Sequence, residues 1–151
     1  MSRQEQADLT LRLYEIRSSE KMRAARHWFM TVFDPQSAGE IAALMASGHE
    51  QSAPFRMITT YWDMACAFVV FEAIDEKLFH ATQTEHLAVF AKLEPFIGEL
   101  RELFGLPDYL DNLEKTARRS PNAAEYFDKI RSLMNRWNEA ENKSKASEKT
   151  S

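Results

Sequence analysis

Apolar residues recur at steps of three and four through most of this chain, the spacing of one face of an α-helix. Between Gln4 and Arg17, Leu9, Leu13 and Ile16 form such a stripe, widened by Leu11 and Tyr14, and predict an amphipathic first helix. Ser18 and Ser19 break it or cap the next one, since a serine hydroxyl accepts from the free N–H groups of a helix start. A second stripe, Met22, Ala25, Phe29, Val32 and Phe33, ends at Asp34-Pro35, because the residue before a proline is pushed out of the helical region. Ser37 and Glu40 have the spacing of a capping box for a short helix, Glu40 to Ala46, that stops at Ser47-Gly48.

The stretch from about Pro54 to His80 is the one around which the others are arranged. It holds the only uninterrupted apolar block, Met64 to Phe71, and carries two stripes: Ile58, Trp62, Ala65, Val69 on one side and Met57, Met64, Phe71, Leu78 on the other. Two apolar sides predict a long central helix enclosed by neighbours. After it, Thr82 and Glu85 are spaced as another capping box, opening a segment with Leu87, Phe90, Leu93, Phe96, Ile97, Leu100 and Phe104 that Pro95 kinks or breaks. Gly105-Leu-Pro107 ends it, Asp108 caps a helix from Tyr109 to Arg119, and Ser120-Pro121 opens a last helix bearing Tyr126, Phe127, Ile130, Leu133, Met134 and Trp137.

The expected fold is therefore all-α, an irregular bundle of six or seven helices around a long central helix. Residues 1–141 form one helical domain, and the run 142–151, too polar to bury anything, reads as a disordered tail.

Composition narrows the function classes. A content of 44% hydrophobic and 28% charged residues is that of an ordinary globular domain, and four Gly with five Pro leave little material for the turns of an all-β fold. Arg56, Asp63 and Glu72 interrupt every apolar window of membrane-spanning length, so no membrane span is expected. One cysteine, Cys66, excludes a disulfide framework and a Cys-rich zinc site; with no signal-peptide core at the N-terminus, a reducing, cytoplasmic location is expected. Charge is uneven: residues 72–114 hold ten acids against three bases, and 115–151 nine bases against five acids. The C-terminal bases are interleaved with Glu125, Asp128, Glu139 and Glu141 at helix-pair spacing, which reads as a solvated face and not as a nucleic-acid surface.

The run EIRSSEKMRAARHWF, the apolar helix ending AIDEKLF, and FGLPDYLDNLEK leading into the final helix resemble, over about residues 10 to 137, a group of bacterial proteins classed as domain of unknown function 4760. That group has no established activity, so the resemblance implies an all-helical fold and carries no catalytic residue across.

Candidate chemistry comes from the residues themselves. Glu72, Glu76 and His80 fall at i, i+4 and i+8 of the predicted central helix, where carboxylates and an imidazole one turn apart can share a metal ion. Glu72 also prolongs the Ile58 stripe, so it needs a cationic partner, with Arg17, Arg23, Arg26 or His27 as suppliers; Asp63 poses the same question earlier on the helix. An apolar ligand pocket would lie beside Trp62, Phe68 and Phe90, with Glu72 at its edge. No nucleophile elbow, phosphate loop or other cofactor motif occurs, and no cofactor is expected. The first reading is a non-enzymatic protein acting through protein contacts as a homo-oligomer, most simply a homodimer, through the N-terminal stripe and the Trp137 helix. The alternatives are the ligand-binding bundle and a metal-dependent enzyme built on Glu72, Glu76 and His80.

Overall fold

The structure, a computed structural model, describes residues 1–150. Its elements are α1 (Arg3–Arg17), α2 (Glu20–His27) continued by a π-helical turn (Trp28–Val32), α3 (Ala38–Ala46), α4 (His49–Val70) and α5 (Glu76–Thr82). They are followed by α6 (Glu85–Leu93), a 3-10 turn (Glu94–Phe96), α7 (Ile97–Phe104), α8 (Asp111–Arg119) and α9 (Ala123–Thr150). The fold is an all-α bundle, with no strand among the described residues. Helix α4 is its centre and packs against α2, α3 and α8, while α9 closes the far side against α6 and the π turn.

Serines start the early helices. Ser2 accepts from the Glu5 amide in a reciprocal capping box, Ser19 accepts from Met22, and Ser37 accepts from Glu40. Gly105 lies in the left-handed region at φ 65°, closing α7 with a bond of 3.0 Å from the Leu106 amide to the Arg101 carbonyl. Helix α4 begins at His49, a full turn before Pro54. Gly48, at φ 136°, makes the entry turn; the Ser52 hydroxyl donates to its carbonyl, and the Arg56 guanidinium donates to the carbonyl of His49.

At its other end the central helix is shorter than the sequence predicts. It stops at Val70 and does not reach His80. The amides of Ala73 and Ile74 both turn back to the Phe68 carbonyl, at 2.7 and 3.0 Å, and Glu72 takes a left-handed conformation at φ 62°. Two side chains beyond the break stabilise it. Ile74 is buried, and Asp75 accepts from the Leu78 amide as the N-cap of α5.

The π turn also departs from the single helix expected through Phe33. Its wider spacing displaces carbonyls from their normal partners, and side chains from two other helices meet them. Lys92 on α6 donates to the carbonyls of Phe29 and Phe33, at 2.6 and 2.5 Å, and Asn138 on α9 donates to that of Thr31 at 2.8 Å. The turn thereby presents Phe29 and Phe33 to Phe55 of α4, with ring centroids 6.5 and 5.5 Å away. Finally, α9 runs from Ala123 past residue 142. It stays helical to Thr150, with no buried side chain after Asn138, because Glu and Lys one turn apart favour the helix without any packing.

Candidate functional site

The break after α4 decides the fate of the acidic strip. Because the chain reverses at Glu72, that residue no longer prolongs the Val69 face; it is exposed, and none of the four cations expected beside it is its partner. Glu72 and Glu76 do share an open cleft of about 490 Å³ with Asp75 and Arg119. His80 lies a turn further on, its Nε2 3.9 Å from a Glu76 oxygen, while the Arg119 guanidinium takes the other Glu76 oxygen at 3.3 Å. Among the described residues no group of three or more His, Cys, Asp or Glu side chains is arranged to hold a metal ion. Glu72, Glu76 and His80 thus do not form a ligand set.

The arginines serve Glu85 instead. Thr82 is the last residue of α5 and not a cap; Thr84 precedes α6 and makes no side-chain cap bond, so Glu85 leaves the capping-box role and turns inward. There its carboxylate, 9% exposed, accepts from Arg26, from the Trp62 indole at 3.0 Å, and faces Arg17 at 3.9 Å. Arg17 in turn lies over the Trp62 and Tyr14 rings, at 5.8 and 5.6 Å from their centroids. Four helices, α1, α2, α4 and α6, meet on one carboxylate. Asp63, the other carboxylate singled out on the central helix, is a helix cap at a distance: it accepts from the amide of Leu113 at 2.9 Å and the side chain of Asn112 at 3.4 Å, opening α8.

Next to Glu85 sits a pair of imidazoles. His86 is wholly enclosed, its ring 4.9 Å from Phe79, 5.7 Å from Trp62 and 6.1 Å from His80, which lies nearly parallel to it. Neither ring nitrogen of His86 or His80 has a hydrogen-bond partner among the described residues. Burial, reinforced by His80, pushes the His86 pKa down to about 3; burial also lowers that of His80, opposed by Glu76. His80 forms part of the wall of an open cavity of about 470 Å³ with Thr84, Leu87 and Tyr126. The sequence offers His80 as a ligand in the acidic strip, with Glu76 one turn before it; nothing in the spacing of His80 and His86 marks them as a buried pair.

The proposed pocket residues do not come together around a space. Trp62 and Phe90 are fully buried in the core, Phe90 edge-on to Phe127 at 5.5 Å and beneath the Arg118 guanidinium at 5.0 Å. Phe68 is half-buried at the core's edge, and Glu72 is exposed beyond the break. Cys66 is buried, accepts through its carbonyl a bond from Thr116 at 3.3 Å, and has its thiol pKa raised by burial. A buried thiol of that kind is unreactive.

The bundle also leaves large apolar side chains outside. The second stripe of the central helix divides: Met57 and Leu78 pack on the core, while Met64 and Phe71 face solvent, Phe71 at 77% exposure. Leu11 and Tyr14 on α1 are 61% and 58% exposed, and Leu133 and Trp137 on α9 are also exposed. Helix α1 meets the corner between α4 and α5: Gln6 shares a cleft with Val69 and Val70, and its side chain accepts at 2.9 Å from the amide of Asp75, the N-cap of α5. Among the described residues no helix is long and apolar enough to cross a membrane.

Compared with known proteins, residues 4–137 match the family model described as a domain of unknown function (DUF4760). No curated protein and no solved structure matches the chain.

Proposed function

We propose that this chain, which belongs to the DUF4760 family, acts through protein contacts and self-associates by the apolar corner formed by α1 and the end of α4. The observation that carries the reading is Phe71. A phenylalanine at 77% exposure leaves about 1.5–3 kcal/mol of apolar burial unrealised, and Met64, two turns earlier on the same face, extends the exposed strip. One side chain does not make an interface; a stable dimer buries about 1,200–2,000 Å² in total. Leu11 and Tyr14 on the adjoining helix supply further apolar area, and a two-fold axis brings the same patch from a second copy against it.

The groups that could do chemistry support a contact role, since they are committed to structure. Glu85 is held by two arginines and an indole, Lys92 by two carbonyls, and Cys66 by the core. The unpaired, buried thiol also fits a reducing interior, and a cytoplasmic location is part of the proposal.

Sedimentation equilibrium or light scattering across a hundredfold range of concentration tests it. The expected result is a dimer that Phe71→Glu converts to a folded monomer. A wild-type chain that stays monomeric throughout that range overturns the reading, as does a dimer unaffected by both Phe71→Glu and Leu11→Glu.

A further inference from the structure

We infer that His80 and His86 form an acid-opened latch at the corner between α5 and α6, closed while both imidazoles are neutral and released when they take up protons. A neutral imidazole ring can sit in an apolar slot between Trp62 and Phe79; an imidazolium there has no acceptor for either N–H.

The charged groups around the pair do not provide one. Glu76 of α5 is 3.9 Å from His80 but is shared with Arg119 of α8. Glu85 of α6 is nearest in sequence to His86, yet its oxygens are taken by Arg26 of α2, Arg17 of α1 and Trp62 of α4. Lys77 of α5 and Tyr126 of α9 line the cavity beside His80, and the lysine adds positive charge. The surroundings of the two rings are therefore net cationic, and the first proton on either ring opposes the second.

The element free to respond is α5. It is seven residues long, buries Phe79, makes no extensive packing with any other helix, and is tied to α4 through the left-handed corner at Glu72. Swinging it away carries His80 into water and uncovers Phe79 and His86, the ring packed against the Trp62 indole, while α2, α4, α8 and α9 keep their mutual packing.

The test uses the full chain with Trp28→Phe and Trp137→Phe, so that Trp62 is the sole indole. Its emission and amide exchange are followed between about pH 7.5 and pH 4. Expected are a red shift of Trp62 and, at about pH 5, an exchange of residues 76–82 about tenfold faster than the intrinsic pH effect allows, with α9 unchanged. His86→Phe, which keeps an aromatic ring in the slot, abolishes both changes. Equal acid sensitivity in His86→Phe overturns the latch, and so does simultaneous loss of protection in α5 and α9. Should His86→Phe not fold, His80→Phe decides: removing the first of two opposed protons must move the transition to lower pH, and an unmoved transition overturns the proposal.

Discussion

The indole nitrogen of Trp62, on the central helix, donates to the carboxylate of Glu85 across 3.0 Å, and the same carboxylate receives Arg26 and faces Arg17. A fully buried ring and a nearly buried charge thus share one bond, and each restricts where the other can sit. The contact explains how α1, which leaves Leu11, Tyr14 and Ile16 exposed, is held: Arg17 reaches Glu85, and the Tyr61 hydroxyl donates to the Leu13 carbonyl.

Removing that carboxylate leaves two guanidinium groups facing a buried indole N–H. Glu85→Ala is expected to lower the unfolding free energy by about 3 kcal/mol, in the range for breaking a buried pair from one side. Urea denaturation measures it. In a cycle with Arg26→Ala the double variant should lose less than the two singles together.

Stability should fall on the acid side because of His86. Its folded pKa of about 3 lies below the ordinary 6.5, so between those values the unfolded chain binds the extra proton. The contribution of the neutral, buried ring is complete above about pH 6.5 and is lost progressively as pH falls towards 3. Denaturation midpoints recorded across that window should decline for the wild type and flatten in His86→Phe.

Lys92 is the partner of two carbonyls that the π turn sets loose. Lys92→Met retains the apolar stem over Phe29 and Phe33 but removes the ammonium donor from both carbonyls, leaving that of Phe33 only the 3.4 Å bond from Asn138, an expected loss of about 1–3 kcal/mol. Hydrogen exchange should show the change concentrated at residues 28–33, while α8 amides keep their protection.

At Glu72 the expected sign is the opposite. A non-glycine residue at φ 62° carries a steric cost of about 1–2 kcal/mol, which Glu72→Gly relieves against a smaller entropic loss. Melting should rise by a few degrees in Glu72→Gly and stay unchanged in Glu72→Ala.

Where the chain makes helices, and which face each turns inward, can be read from periodicity: Leu13, Phe29, Ile58, Trp62, Leu100 and Met134 are all buried as their spacing implies. The failures fall where a backbone choice depends on distant partners. Nothing around Phe71 announces a stop, since no glycine or proline is there; the helix ends because Ile74 is drawn into the core and Asp75 can cap. That one reversal dissolved the Glu72, Glu76, His80 strip, which assumed an unbroken helix. Likewise Thr82 to Glu85 has the letters of a capping box, but the half-buried Arg26 and the buried Trp62 outcompete a local amide for the carboxylate. Exposure of Phe71 was hidden by the same assumption that a second apolar stripe must have a second neighbour.

The long final helix has a practical corollary. Its last buried side chain is Asn138, and it continues for twelve residues to Thr150, a reach of about 18 Å at 1.5 Å per residue. A fluorophore or spin label placed at Ser147 or Thr150 sits on the unpacked end of α9, away from the buried core. In the proposed dimer, distances measured between such labels on the two copies report the angle at which they meet.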